Sequence, residues 1–273
     1  MRGRWQAAAV ACVGSFVPVV SPAAVGLVAL RQGSAEAAKV VPWALLPSLV
    51  LLANAGPDSL LTLASIAVVS VVVLAALVLR SSVSWASTVI AITACSTLAA
   101  LLLVIAGSAQ LTAATQLLAE MLEQLSSEQA PLPVVATPLF VAGLFGWMVA
   151  VGSLIAVLVA RWWQSLLYNP GGFGSEFRQL RLSGSSAVAL LAIVALAWLQ
   201  AVDYRPWAEL LALPLLLSGL SLLHYTAAAR GLGRLWLGMI YVGLVFFSPL
   251  NMVIIGLACA DSLINIRSRV TTR

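Results

Sequence analysis

Few side chains in this sequence are equipped for chemistry, and most of them lie within apolar runs. His224, in Leu222-Leu223-His224-Tyr225, is the only histidine. Its imidazole has two readings, a hydrogen-bonded structural group or a proton carrier, and no carboxylate or thiol set stands at metal-ligand spacing around it. Asn251 follows directly on Ser248-Pro249. An amide at membrane depth either reads a ligand or satisfies backbone groups freed by the proline. Ser21-Pro22 repeats the same pair near the other end of the chain. Serine is a good helix cap and proline a good first helical residue. Both pairs therefore predict half-helices that start within the membrane, their free N–H groups turned into a bundle, as discontinuous helices do around transporter substrates. Prolines that merely kink two spans are the other reading. Ser21, Ser248, Asn251, Tyr241 and His224 are accordingly the candidate ligand-binding residues.

The acidic residues suggest structure more than catalysis. Asp203 beside Arg205 reads as an interfacial turn, with Glu209 on the neighbouring span, and Asp261 is expected to pair with Arg267 and Arg269. Asp203 and Asp261 fall at opposite ends of their spans. There is no His-Glu-x-x-His and no Gly-x-Ser-Gly, and no nucleophile and base are expected within reach of each other. Cys12, Cys95 and Cys259 are odd in number and widely scattered, which excludes a disulfide framework and reads as membrane-core side chains. The expectation is a chain without catalytic centre, metal or cofactor.

The stretch Arg161–Leu182 is the most distinctive. Pro170-Gly171 predicts a type II turn, with glycine at the position that needs φ > 0. Trp162, Trp163, Tyr168, Phe173 and Phe177 suit the headgroup level, and Arg161, Arg178 and Arg181 suit an anionic leaflet. Gly171, Gly172 and Gly174 lack the lysine and the preceding strand of a phosphate loop. An interfacial loop over 161–184 that orients its neighbours is one reading. Docking to a partner through Arg161, Trp162, Asn169, Gly171, Gly172, Phe173, Glu176, Phe177 and Arg178 is the other.

What positions these groups follows from composition. Of 273 residues, 62% are hydrophobic and 8% charged, and the mean hydropathy is +1.07. Soluble domains carry about 25% charged residues, so this chain could not cover a surface in water. In lipid every backbone polar group must be satisfied internally, which leaves helices or a closed barrel. Unbroken apolar runs such as Ser59–Leu79 and Ser84–Ala106 are too long for barrel strands. The fold class is thus all-α, a single transmembrane domain over 1–273, with full spans at 38–54, 58–79, 84–107, 134–160, 185–202 and 206–229. Two terminal segments, Trp5–Leu30 and Leu235–Ile266, are broken by Pro18 and Pro22 and by Pro249. The N-terminal run lacks a clean cleavage site and reads as a retained membrane segment.

Charge orients the bundle. If both broken segments are helical hairpins, Arg2, Arg4, Arg31, Lys39, Arg80, Arg161, Arg178, Arg181, Arg230, Arg234, Arg267, Arg269 and Arg273 share one side, and of the 14 basic residues Arg205 alone faces the other. Lysine and arginine in short loops stay inside, so both termini are expected in the cytoplasm. Residues 108–133 then lie outside. There, Leu111, Ala114, Leu117, Leu118, Met121, Leu122 and Leu125 recur at helical spacing opposite Gln116, Glu120, Glu123 and Gln124, an amphipathic helix of the outer interface. The net charge of +5 fits this orientation and does not call for nucleic acid.

Five stretches carry a family resemblance. Arg161-Trp162-Trp163-Gln164, Tyr168-Asn169-Pro170-Gly171-Gly172-Phe173 and Glu176 to Leu182, together with Gly219–His224 and Gly256 through Asp261 to Arg267, resemble the proteobacterial branch of the YybS-like (DUF2232) integral membrane proteins. Such proteins are similar to the substrate-binding S-components of energy-coupling-factor transporters. The resemblance implies capture of a small vitamin-like molecule within a helical bundle in a bacterial inner membrane. It also implies docking of the first helix to a coupling subunit through an Ala-x-x-x-Ala pair, here Ala7 and Ala11. S-components have six helices, whereas this chain adds hairpin elements and the 161–182 stretch. The leading expectation is a non-enzymatic protein that binds a small molecule or lipid between its terminal half-helices. The alternative is a scaffold for another membrane protein, working through helix faces and the 161–182 segment.

Overall fold

A computed structural model describes residues 4–14, 19–55, 60–125 and 136–270. These form α-helices and short 3-10 turns, with no strand among the described residues. In chain order they are α1 (Arg4–Val13), α2 (Val20–Gln32), α3 (Ser34–Ala55), α4 (Leu60–Ser82), α5 (Trp85–Ala106) and α6 (Ser108–Leu125). There follow α7 (Pro138–Tyr168), α8 (Gly172–Phe177), α9 (Gly184–Trp198), α10 (Arg205–Ala229), α11 (Arg234–Phe246) and α12 (Pro249–Ile264). The protein is an all-α helical bundle, and α3, α4, α5, α7 and α10 are each long and apolar enough to cross a membrane. The expected sixth span is the 15-residue α9, about 22 Å at 1.5 Å per residue and short of a full hydrocarbon core.

The core sits where α2, α4, α5, α7 and α10 meet. Lipid removes the hydrophobic drive between helices, so close packing of small residues must hold them. Gly26 of α2 stands against Val72 and Ala160, and Gly146 of α7 against Ala100 and Leu210. Every residue of α2 from Ala23 to Leu30 is buried, as expected of a helix apolar on all sides. Arg31 and Arg80 mark the end of the bundle that this helix reaches.

Both terminal segments fold back. Gly14 lies against Val20, and Ala7, Ala11, Val25 and Val28 share one cluster, so α1 returns along α2. Pro18 itself lies outside the described residues. At the other end, α11 and α12 meet at 120° across Phe247 and Ser248. The chain leaves the end of α10 at Arg230 and is back beside Ser221 of α10 at Arg267, so this segment enters and leaves at one end of the bundle.

Three local expectations need correction. Ser21 and Pro22 are the second and third residues of α2, not its cap and first residue, because the helix starts at Val20. Ser248 does occupy the cap position of α12 with Pro249 first, but its own backbone is helical and its hydroxyl makes no capping bond. The stretch 161–184 is not a loop throughout. Helix α7 runs eight residues past Ala160 to Tyr168, because apolar character marks bilayer depth while the backbone ladder continues beyond it. The reversal is the type II turn: Gly171 has φ 86° and ψ −14°, and its neighbour Gly172 donates to the Asn169 carbonyl at 3.0 Å. Helix α6 matches residues 108–125 of the amphipathic helix, with Leu111 buried on the bundle and Leu117, Met121 and Leu125 exposed.

Candidate functional site

Of the five candidate ligand-binding residues, two line one cavity. Ser248 and Asn251, at the start of α12, face Trp147 of α7, Trp198 of α9 and Arg205 and Glu209 of α10 around a space of about 470 Å³. The Asn251 Oδ1 is buried without a hydrogen-bond partner among the described residues. Such an atom forgoes its water bonds and demands a donor. Arg205 stacks over Trp198 at 5.5 Å, which holds the guanidinium at the rim. Glu209, one helical turn on, is exposed. The site thus offers a cation, a carboxylate, an amide and two indole rings, with Trp147, Trp198, Arg205 and Glu209 not anticipated as members. The signal that could have found them is depth: all four lie within three turns of the ends of their helices opposite the arginine-rich end.

The other three are elsewhere. Ser21 is buried in α2, which packs on α1, α3, α4 and α7 and not on α12, so the terminal half-helices do not enclose a common pocket. His224 and Tyr241 are brought together, their Nε2 and Oη 2.8 Å apart, with Phe177 edge-on to the imidazole at 5.3 Å. This pair ties α10 to α11 and α8. Ala7 and Ala11 are 3% and 0% exposed against α2, α3 and α4. The face expected to dock a coupling subunit is filled from within the chain.

A second arrangement lies at the arginine-rich end. Helix α12 stops at Ile264, and Asn265 takes a left-handed conformation (φ 51°, ψ 67°) that asparagine tolerates. This reversal carries Arg267 back over the last turn. Its Nε donates to Asp261 Oδ2 at 2.8 Å and its backbone N–H to Oδ1 at 3.3 Å. Its Nη1 donates to the Arg178 carbonyl, and its Nη2 to the Leu180 carbonyl at 2.7 Å and Ser221 Oγ at 3.3 Å. Ser221 in turn donates to the Phe177 carbonyl at 2.7 Å. Arg181 donates to the carbonyls of Asp261 and Ser262 at 3.1 and 3.2 Å. The expected partner Arg267 is therefore found, and Arg181 joins it where Arg269 was expected.

The 161–182 segment is fastened down by these contacts. Arg161 grips both oxygens of Glu176, at 2.9 and 2.5 Å, and also donates to Gln164 at 2.6 Å. Ser165 donates to the Asn169 carbonyl and accepts from Phe173 N–H. Phe177, Leu180 and Leu182 are buried. Trp162, Tyr168, Asn169 and Gly171 remain exposed, whereas Phe177 and the carbonyl of Arg178 are committed inward. Residues 161–182, 219–224 and 256–267 thus meet in space. No protein-family model, curated protein or solved structure matches the chain.

Proposed function

We propose that this multi-pass membrane protein is non-enzymatic and captures a small polar or amphiphilic molecule in the α10–α12 cavity, in the manner its resemblance to YybS-like proteins and S-components implies. The supporting observation is the buried, unpartnered amide oxygen of Asn251 in the wall of a 470 Å³ space. Cavities of this size with few polar groups on an aromatic lining suit small ligands. Arg205 and Glu209 favour a ligand that carries both acceptor and donor, and Trp147 and Trp198 favour an apolar or ring-bearing remainder. The clustering of Arg31, Arg80, Arg161, Arg178, Arg181 and Arg267 at the other end supports a cytoplasmic assignment for that end. On that assignment the protein sits in a bacterial inner membrane with both termini inside.

Native mass spectrometry of gently extracted protein tests this. Wild-type protein is expected to retain a small molecule, and Asn251→Ala to lose most of it while keeping its oligomeric state. Equal retention by the two proteins counts against the cavity.

One observation favours the scaffold alternative. Among the described side chains of helix α11, residues 235–246, none is buried, and Leu235, Val245 and Phe246 are 76–85% exposed. The same spectra would then carry a stoichiometric membrane partner and no small molecule.

A further inference from the structure

A second cavity, of about 410 Å³, opens at the arginine-rich end between the close of α2, the α4–α5 junction and the α7–α8 segment. Arg80, Arg161 and Arg181 stand in its wall with Trp85, Gln164 and Glu176. We infer that this cavity binds a phosphate group with net negative charge, carried by an anionic lipid headgroup or by a soluble phosphate ester.

The charges do not balance without one. Both oxygens of Glu176 are taken by Arg161. Asp261, behind the wall, is held at 2.8 Å by Arg267, and Arg181 lies 3.9 Å from the same oxygen. Four guanidiniums therefore face two carboxylates, and the excess falls on Arg80 and Arg181. Their shortest contacts are backbone carbonyls: Arg80 Nη1 donates to Leu30 at 3.0 Å, and Arg181 to Asp261 and Ser262. A carbonyl offers a dipole and leaves the cationic charge uncompensated. Bidentate pairing of arginine with phosphate oxygens is the strong arrangement such groups favour.

The hydrogen-bonding inventory points the same way. Gln164 spends its amide oxygen on Arg161 Nη1 and keeps its NH₂ donors. Trp85 is 5% exposed, and its indole N–H is buried with no acceptor among the described residues. The acceptors of Glu176, Gln164 and Ser84 are engaged within the chain, the exposed Gln179 brings donor and acceptor alike, and the wall's remaining side-chain groups are donors. A ligand that supplies acceptors and negative charge completes it, and one that supplies donors does not. Depth agrees as well. Trp162 and Tyr168, exposed on the same stretch of α7, are the amphipathic residues of the headgroup region.

The full chain, in discs of phosphatidylcholine with and without phosphatidylglycerol, separates the two sources. Retention of phosphatidylglycerol over phosphatidylcholine, whose phosphate is balanced by its own ammonium, in native mass spectra identifies an anionic headgroup phosphate. A rise in melting temperature with inorganic phosphate over chloride at equal ionic strength, in pure phosphatidylcholine, identifies a soluble one. In either arm Arg80→Gln is expected to weaken the effect about tenfold or more, the loss of one charge-assisted contact. Trp85→Phe, which keeps the ring and deletes the N–H, guards against a folding artefact and should weaken it too. Arg205→Gln, at the opposite end, should leave it unchanged. No preference for either probe, or a preference that Arg80→Gln and Trp85→Phe both leave intact, overturns the inference.

Discussion

Asp261→Asn isolates the group that anchors the C-terminal hairpin. The Asp261 side chain is 1% exposed and that of Arg267 10%. Neutralising the carboxylate does not release the guanidinium, because its bonds to the carbonyls of Arg178 and Leu180 and to Ser221 remain. It leaves a buried cation without its counter-charge, and breaking a buried pair in this way costs about 3–5 kcal/mol. Asparagine still offers one oxygen to Arg267 Nε, which returns about 1 kcal/mol. A net loss of about 2–4 kcal/mol follows, which for a chain of this length lowers the melting temperature by about 4–16 °C. Arg267→Met should cost at least as much, since it strands the carboxylate and two carbonyls together. The double variant should lose less than the sum of the singles, by about 2–3 kcal/mol of coupling. Tryptophan fluorescence during unfolding in one detergent reads all four proteins. A shift of under about 1 °C for Asp261→Asn, or strict additivity in the cycle, would refute the reasoning, since a genuine buried pair must couple.

Two further outcomes follow from packing and topology. A Cβ at Gly219 would lie 2.4 Å from the Ile254 carbonyl oxygen, a backbone atom that cannot swing aside, so Gly219→Ala should cost about 1–3 kcal/mol. Gly238→Ala, where nothing lies within 4 Å, should be neutral or stabilising by up to about 1 kcal/mol, and melting curves compare the two. In a background lacking Cys12, Cys95 and Cys259, single cysteines at Arg230 and Arg269 should react with an impermeant thiol reagent from the same face, and one at Gln200 from the opposite face. Labelling of positions 230 and 269 from different faces would mean that α11 and α12 cross as one span.

Some of this arrangement was legible in the residues. The apolar runs set the bundle and most span limits, since only a helix satisfies its own backbone in lipid. Pro170-Gly171 fixed its turn, because φ near +86° excludes most other side chains. Asp261 and Arg267 could be paired on charge alone. The Asn265 reversal that brings them together could not be foreseen, because left-handed asparagine is one option among several. Nor could the course of α7 to Tyr168, since hydropathy reports apolar character and Arg161–Gln164 interrupt the apolar run without interrupting the helix. The central place of α2 was also hidden. Its uniformly small apolar residues fit a lipid-facing helix equally well, and the choice rests on long-range packing. The same ambiguity let Ala7 and Ala11 pass for a free docking face when they are the seam between α1 and its neighbours.

Helix α12 connects the two cavities, and its geometry limits how it can respond at either. It begins at Ser248 and Asn251 in the wall of one and ends at Asp261, whose carbonyl holds Arg181 in the wall of the other. Between them Ile254 is pressed on Gly219 with no room for another atom. A slide of α12 along its axis would have to part Asp261 from Arg267 or drag the 177–181 backbone along, because Arg267 grips the carbonyls of Arg178 and Leu180 at the same time. The first route strands a buried ion pair and is costly. The second shifts Arg181 within the basic cavity. Ligand capture at Asn251 that moved α12 would therefore be felt at Arg181, whereas rotation of the exposed α11 would disturb little beyond the Tyr241–His224 contact.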